Sequence, residues 1–92
     1  MNIPQITGID TAIKIYYLYP EIGNNEIRQL FGRHSSATTA KFKRAVKEEM
    51  IKRNEMSYGL NKVKTCTAFD VWGIDVADLE RRRKKLQALE LQ

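Results

Sequence analysis

The side chains with the clearest chemical potential in this chain of 92 residues are basic and follow one another at helical spacing. Lys41, Lys43, Arg44 and Lys47 fall on one side of a helix predicted to begin near Ser36, because successive helical residues turn by about 100°. Such side chains bind phosphate oxygens and the acceptor edges of bases, and they do not by themselves break covalent bonds. The pattern therefore indicates recognition of a polyanion.

The positive charge of the chain is concentrated in two segments. The net charge is +5, and residues 26–54 alone hold eight basic side chains against three acidic ones. Residues 80–92 hold five basic side chains, at positions 81–85, against two acidic ones. A localised basic field is what a polyanion-binding surface needs, although many charge runs are only solvated helix faces. For residues 81–85 the solvated face is the favoured interpretation.

Catalytic chemistry is poorly represented. His34 is the only histidine and Cys66 the only cysteine, so a histidine-based catalytic site would require the two side by side. We expect instead that His34 is solvated or faces a phosphate, and that Cys66 is a small packing residue. The chain has no phosphate-binding glycine loop, dinucleotide fingerprint or clustered carboxylates at metal-ligand spacing. We expect no enzyme activity, metal, cofactor or small-molecule ligand.

Composition and length indicate one globular domain. Hydrophobic residues make up 42% and charged residues 29%, which is typical of a folded chain and not of a disordered one. No apolar run approaches the roughly 20 residues that span a bilayer, so we expect no membrane segment. The single cysteine excludes an internal disulfide and agrees with a reducing compartment. A cytoplasmic location is predicted.

The first half of the chain reads as three helices. The first is expected from about Asp10 to the residue before Pro20, and it is apolar almost all round, so it should lie at the centre or meet a partner chain. The second has Asn24 or Asn25 as cap and Gly32 as stop. A third helix runs from Ser35 or Ser36 to about Arg53. Apolar residues at helical spacing are predicted to be buried on the second and third helices, namely Ile27, Leu30 and Phe31 on helix 2, and Phe42, Ala45, Val46 and Met50 on helix 3.

The second half is less regular. Residues 54–64 read as a loop, and a small β-hairpin or wing within residues 55–72 is left open. A short helix at residues 65–72 with Gly73 as stop is favoured over a strand, with Trp72 and Phe69 anchored in the core. Asp75 is expected to cap a last helix from Val76 to about Leu91. The predicted fold is mainly α, a bundle of four to five helices, with residues 1–74 as its core and 75–92 as a C-terminal helix of the same domain.

Helix 2, Gly32, a serine-capped turn and a basic helix 3 stand in the order that defines a helix-turn-helix. Over residues 24–47 the chain resembles the helix-turn-helix superfamily of small bacterial and phage DNA-binding proteins. The resemblance implies that helix 2 lies across the phosphate backbone and that helix 3 enters the major groove. The turn from Gly32 to Ser36 leaves the register of helix 3 open. The candidate DNA-binding residues are Arg33, His34, Ser35, Ser36, Ala37, Thr38, Ala40, Lys41, Lys43, Arg44 and Lys47.

The sequence therefore predicts a protein that binds double-stranded DNA sequence-specifically. Regulation of transcription, or an accessory role in a mobile element, is implied by the resemblance alone. An apolar edge on the last helix, formed by Val76, Leu79, Leu86 and Leu89, could pack on helix 1 or form a homodimer. Two other functions remain open, an adaptor that contacts proteins and an RNA-binding or architectural protein that uses charge without reading bases.

Overall fold

The computed structural model describes residues 5–91 and confirms a mainly α fold with one small antiparallel sheet. The predicted core segment, residues 1–74, and the predicted C-terminal segment, residues 75–92, each extend beyond this range, because residues 1–4 and 92 lie outside the described residues. In chain order the elements are α1 (Ile9–Leu18), β1 (Glu21–Ile22), α2 (Asn24–Phe31), α3 (Ser36–Lys52), β2 (Val63–Lys64), α4 (Thr65–Trp72) and α5 (Val76–Glu90).

The core is built from the stripes that helical spacing predicted. On α2 these are Ile27, Leu30 and Phe31, and on α3 the predicted residues Phe42, Val46 and Met50 are buried. Every other element adds apolar side chains to the same cluster, namely Ala12, Ile13 and Ile15 of α1, Ile22 and Val63 of the sheet, Ala68, Phe69 and Trp72 of α4, and Val76 and Leu79 of α5. All five helices thus share one core, which includes the first turn of α5.

An aromatic cluster fixes α2 against α3 and α4. The Phe31 ring lies 5.5 Å from the Phe42 ring and 5.2 Å from the Trp72 ring, the latter edge to face. The Trp72 indole Nε1 donates to the Phe42 carbonyl at 3.3 Å, so its one polar atom is satisfied inside the core. The predicted anchoring of Phe69 and Trp72 in the core is confirmed.

The predicted helix ends at Gly32, Ser35, Gly73 and Asp75 are confirmed, whereas the predicted cap of α2 is wrong. Ser35 caps α3 by accepting from the Thr38 amide at 3.1 Å, Asp75 caps α5, and Gly73 ends α4 in the left-handed conformation with φ of 72°. Asn24 and Asn25 do not cap α2, because both already lie within its first turn; the Gly23 amide instead donates to the Glu26 carboxylate at 2.8 Å.

The first helix ends before Pro20, as predicted, but it differs from expectation in its start and in its coverage. It begins after Gly8, so Asp10 lies inside its first turn, where a carboxylate still interacts favourably with the helix dipole. It is also not covered on every side, since Tyr17 is 63% and Leu18 67% exposed at its C-terminal end. The reason is that α5 crosses α1 and α2 packs beside it, which leaves the last turn of α1 uncovered.

The small sheet joins two distant parts of the chain. Within residues 55–72, only Val63–Lys64 is a strand, and the remainder is loop and α4. Its antiparallel partner is Glu21–Ile22, with Ile22 opposite Val63 and both side chains buried. The sequence did not predict this partner strand, because two residues are too few to show a period. The segment from Arg53 to Lys62, which we call the α3–β2 loop, is therefore held at one end by α3 and at the other by this pairing.

Ile27→Ala should lower the free energy of unfolding by about 2 to 5 kcal/mol, because Ile27 is 1% exposed and its loss leaves a cavity. The matched control is Ile51→Ala on α3, where the side chain is 75% exposed and the change should stay within about 0.5 kcal/mol. Urea denaturation of both variants measures the difference. Equal losses would show that the buried stripe of α2 is not where the structure places it.

Candidate nucleic-acid interface

The turn between α2 and α3 is held by its own side chains, and these bonds set the register of α3. The His34 Nε2 donates to the Phe31 carbonyl at 3.0 Å, and its ring lies edge to face on Phe42 with centroids 5.9 Å apart. A carbonyl can only accept, so this nitrogen carries the proton. The Thr39 hydroxyl donates to the Ser35 carbonyl at 3.1 Å. His34, expected to be solvated or to face a phosphate, therefore lies exposed but tied to the turn by one ring nitrogen.

One side of α3 is open to solvent and combines basic with small side chains. Most of the predicted candidates are exposed there, while Thr38 is half-buried and accepts from the Ser35 hydroxyl at 2.9 Å. The alanines leave the helix backbone accessible to a partner along the first two turns. The exposed residues of this surface, which we call the outer face of α3, are Ser36, Ala37, Ala40, Lys41, Arg44 and Lys47. Arg33 and Ser35, in the turn before them, are also exposed.

Lys43 was predicted on this outer face, and that prediction is wrong. The side chain is only 8% exposed, and its ammonium donates to the Asn61 carbonyl in the α3–β2 loop. Burial, and to a lesser extent the neighbouring charge of Lys47, lowers the pKa of Lys43. The physical reason is that the α3–β2 loop folds against this edge of the helix. Lys43 therefore connects α3 to the loop.

A cavity of about 370 Å³ lies where α2, α3 and the α3–β2 loop meet. The first backbone amides of an α-helix have no acceptor within the helix, so the N-terminus of α2 is favourable to anions. An adjoining cavity at the same helix end is bordered by Lys62. The first cavity, of about 370 Å³, is lined by Asn24, Ser36, Ala40, Lys43, Arg44, Lys47 and Asn61. Its wall thus combines basic and amide side chains from three elements.

The basic residues of the two charged segments differ in their partners. Near the start of α5, Arg81 and Arg82 pair with Asp78 at 3.3 and 3.0 Å, and Arg83 lies 3.7 Å from an Asp10 oxygen. Within residues 5–91, by contrast, no ion pair involves Lys41, Arg44 or Lys47. Among the described residues these three cations thus have no salt-bridge partner, although the exposed Glu48 follows Arg44 by four residues on the same helix face.

The α3–β2 loop is anchored by two carboxylates. Glu21 of β1 accepts from the amides of Tyr58 and Gly59, the latter at 2.7 Å. Glu55 lies 3.2 Å from the Lys64 ammonium and accepts from the Thr67 hydroxyl. The loop then exposes three large apolar side chains, Met56, Tyr58 and Leu60, at 79%, 98% and 89%. The loop thus presents three exposed apolar side chains close to Asn61, which lines the basic cavity.

Sequence reasoning missed Asn61 and Lys62, which border the cavities from the loop. A partial signal was present, because Asn54 and Asn61 both adopt positive φ, near 56° and 59°, and asparagine is among the few residues that tolerate this conformation. These two asparagines lie at the two ends of the loop. Their types predict turns, but not that the loop would fold back onto α3.

Other candidate chemistry is limited. Cys66, predicted to be a packing residue, is exposed instead, because it lies on the side of α4 away from the core, where its sulfur is 3.7 Å from the Tyr16 hydroxyl. Among residues 5–91 no group of three or more His, Cys, Asp or Glu side chains is arranged to hold a metal ion. In the same range, no helix is both long and apolar enough to cross a membrane.

The loop anchor at Glu55 predicts a pH dependence. The Thr67 hydroxyl, and then the Lys64 ammonium, hold the pKa of Glu55 below its ordinary value of 4.5. A carboxyl whose pKa is lower when folded stabilises the fold above that ordinary value, and the stabilisation is lost as the pH falls through the folded pKa. The stability difference between the parent and Glu55→Gln should therefore shrink as the pH is lowered below 4.5.

Urea denaturation across this pH range measures that difference. Glu48→Gln, an exposed change on α3, is the matched control and should show no such narrowing, because Glu48 forms no ion pair with the residues that the structure describes. A difference between the parent and Glu55→Gln that is constant with pH would contradict the role assigned to this carboxylate.

Comparison with known proteins returned no match from protein-family models, from curated proteins or from solved structures. The function of this surface is therefore inferred from the geometry of the chain itself. Three elements converge on a basic cavity, and beside it α3 presents exposed cations and small side chains.

Proposed function

We propose that this protein binds double-stranded DNA by placing the outer face of α3 in the major groove. The observation that carries the proposal is the coincidence of Arg44 and Lys47, which form no ion pair within residues 5–91, with Ala37 and Ala40 on the same exposed helix face. Cations attract the phosphates, and small side chains let the helix backbone approach the bases.

The dimensions of α3 suit this role. Its 17 residues span about 25 Å, and the major groove of B-form DNA admits one helix. Residues near the start of a recognition helix usually read the bases, so Ser36, Ala37 and Ala40 are proposed for base contact. Arg44 and Lys47, with Arg33 in the turn, are proposed for phosphate contact. Their contacts would position the helix, and the first two turns would supply sequence preference.

The cavity at the start of α2 is proposed to take one backbone phosphate. Arg44 and Lys47 border it from α3, Asn24 borders it from the first turn of α2, and Lys62 borders the adjoining cavity. The N-terminus of a helix is favourable to anions. Lys43 contributes indirectly, by holding Asn61 and so the loop wall in place. This arrangement would fix how deeply α3 enters the groove, because phosphate and helix would be held by one rigid corner of the fold.

Sequence-specific binding of this kind would serve a cytoplasmic regulator of transcription or an accessory factor of a mobile element. The two rival functions make different predictions. An adaptor for another protein would not need the cavity. An RNA-binding protein could not use α3 in the same way, since the major groove of an RNA duplex is too narrow for side-chain reading. Competition between DNA and RNA duplexes of one sequence distinguishes them, and equal affinity for both would contradict groove reading by α3.

Binding to a DNA duplex should weaken steeply with salt, with a logarithmic slope of about −0.9 for each phosphate contacted. Lys47→Ala should reduce the affinity for all duplexes and make the slope smaller by about one contact. Lys14→Ala, on the exposed side of α1, is the matched control and should change neither quantity. Fluorescence anisotropy over a salt series measures both. The absence of salt-dependent binding to any duplex would contradict the proposal.

Ala40→Glu should abolish duplex binding while the fold is retained, because it places a bulky anion at the centre of the outer face of α3. Ala88→Glu introduces the same side chain at an exposed position of α5 and should leave binding unchanged. Circular dichroism and thermal unfolding verify that both variants fold. If Ala40→Glu bound duplexes as tightly as the parent, α3 would not be the helix in the groove.

A further inference from the structure

The last two turns of α5 extend beyond the rest of the fold. The first part of the helix is held by the buried Val76 and Leu79 and by the Tyr17 hydroxyl, which donates to Glu80 at 2.6 Å. From position 84 to 91 every residue is exposed, and the molecule measures 47 Å along its longest axis against 27 and 22 Å along the others. Leu86 and Leu89 in this projecting part are 52% and 65% exposed.

We propose that the projecting end of α5 pairs in parallel with the same segment of a second copy of this chain. Leu86 and Leu89 are three residues apart, so they lie within about 60° of each other on one side of the helix and form a short apolar seam. A seam of this spacing is the unit from which paired helices are built, with each leucine packing against its equivalent across a two-fold axis. The pairing itself does not depend on the proposed function.

The charges beside the seam select both the occupant and its direction. Lys85 and Glu90 lie on opposite edges of the leucine pair, about 70° to either side of its centre. In a parallel pair, each Lys85 faces Glu90 of the second copy, which gives two attractive Lys–Glu ion pairs. In an antiparallel pair, the symmetry brings Lys85 to Lys85 and Glu90 to Glu90. The chain is thus complementary to itself in the parallel orientation alone.

The basic run at positions 81–83 does not prevent this pairing. Arg82 lies four residues before Leu86 and would be next along the seam, but its guanidinium is bound to Asp78 of the same helix at 3.0 Å. Arg83 is directed to Asp10 of α1. These ion pairs therefore reduce the repulsion between the arginines of the two copies.

Association through this seam should be weak. Two leucine layers and two exposed ion pairs cover much less than the roughly 800 Å² per partner found in stable complexes. We therefore expect a reversible dimer that forms at high protein concentration. If the proposed DNA binding also holds, two such copies would present two α3 outer faces related by a two-fold axis, and would favour sites with inverted symmetry.

Sedimentation of the full chain, without DNA, from about 10 µM to about 1 mM covers the range expected for such a weak interface. The parent should shift from monomer to dimer, and Leu89→Glu should weaken association by roughly tenfold or more. The matched control is Leu91→Glu. Leu91 is 89% exposed on nearly the opposite side of α5, so its change should leave association within about twofold of the parent. A parent that stays monomeric throughout, or equal effects of the two changes, would overturn the proposal.

Charge reversal tests the direction. Lys85→Glu and Glu90→Lys should each weaken association about threefold or more, because each replaces two attractive pairs with two repulsive ones. The double variant should restore the parent's association, since it recreates both pairs with the charges exchanged. Single variants that associate as well as the parent, or a double variant no better than the singles, would exclude the parallel arrangement. None of these outcomes depends on DNA binding, so this proposal and the DNA proposal can fail separately.

Discussion

The packing of Phe31 against Phe42 and Trp72 sets the angle and register between α2 and α3, and the rest of the interface depends on it. Phe31 is the last residue of α2, so the turn that follows starts from a fixed point in the core. His34 then bonds back to the Phe31 carbonyl and rests on the Phe42 ring. The basic outer face of α3 therefore has a defined direction relative to the amides of α2, which is the condition for recognising phosphate and base together.

Local chemistry made much of this fold predictable. The buried stripes of α2 and α3, the Ser35 cap and the left-handed Gly73 each depend on residues within a few positions of one another. The pairing of β1 with β2 depends on residues more than forty positions apart, and each strand has only two residues. A strand of two residues is too short to show a hydrophobic period in the sequence. The sheet nevertheless decides where the α3–β2 loop lies.

Lys43 shows how the same limit affects a functional prediction. Its basic side chain suggested the DNA-facing side, but it precedes the buried Met50 by seven residues and so lies within about 20° of it around the helix. That spacing was visible in the sequence and placed Lys43 at the edge of the buried stripe. Its bond to the Asn61 carbonyl was not visible, because it required the loop to fold back. Arg44 and Lys47, further round the helix, remain exposed and could be chosen from the sequence alone.

Amide chemical shifts test most directly whether the outer face of α3 binds duplex DNA. On titration of the ¹⁵N-labelled protein with a DNA duplex, the largest changes should fall on the exposed residues of α3 from Ser36 to Lys47, on Asn24 and on the loop at Asn61 and Lys62. Amides of α4 should change little. Shifts concentrated on α5, or no shifts at duplex concentrations well above that of the protein, would contradict the account.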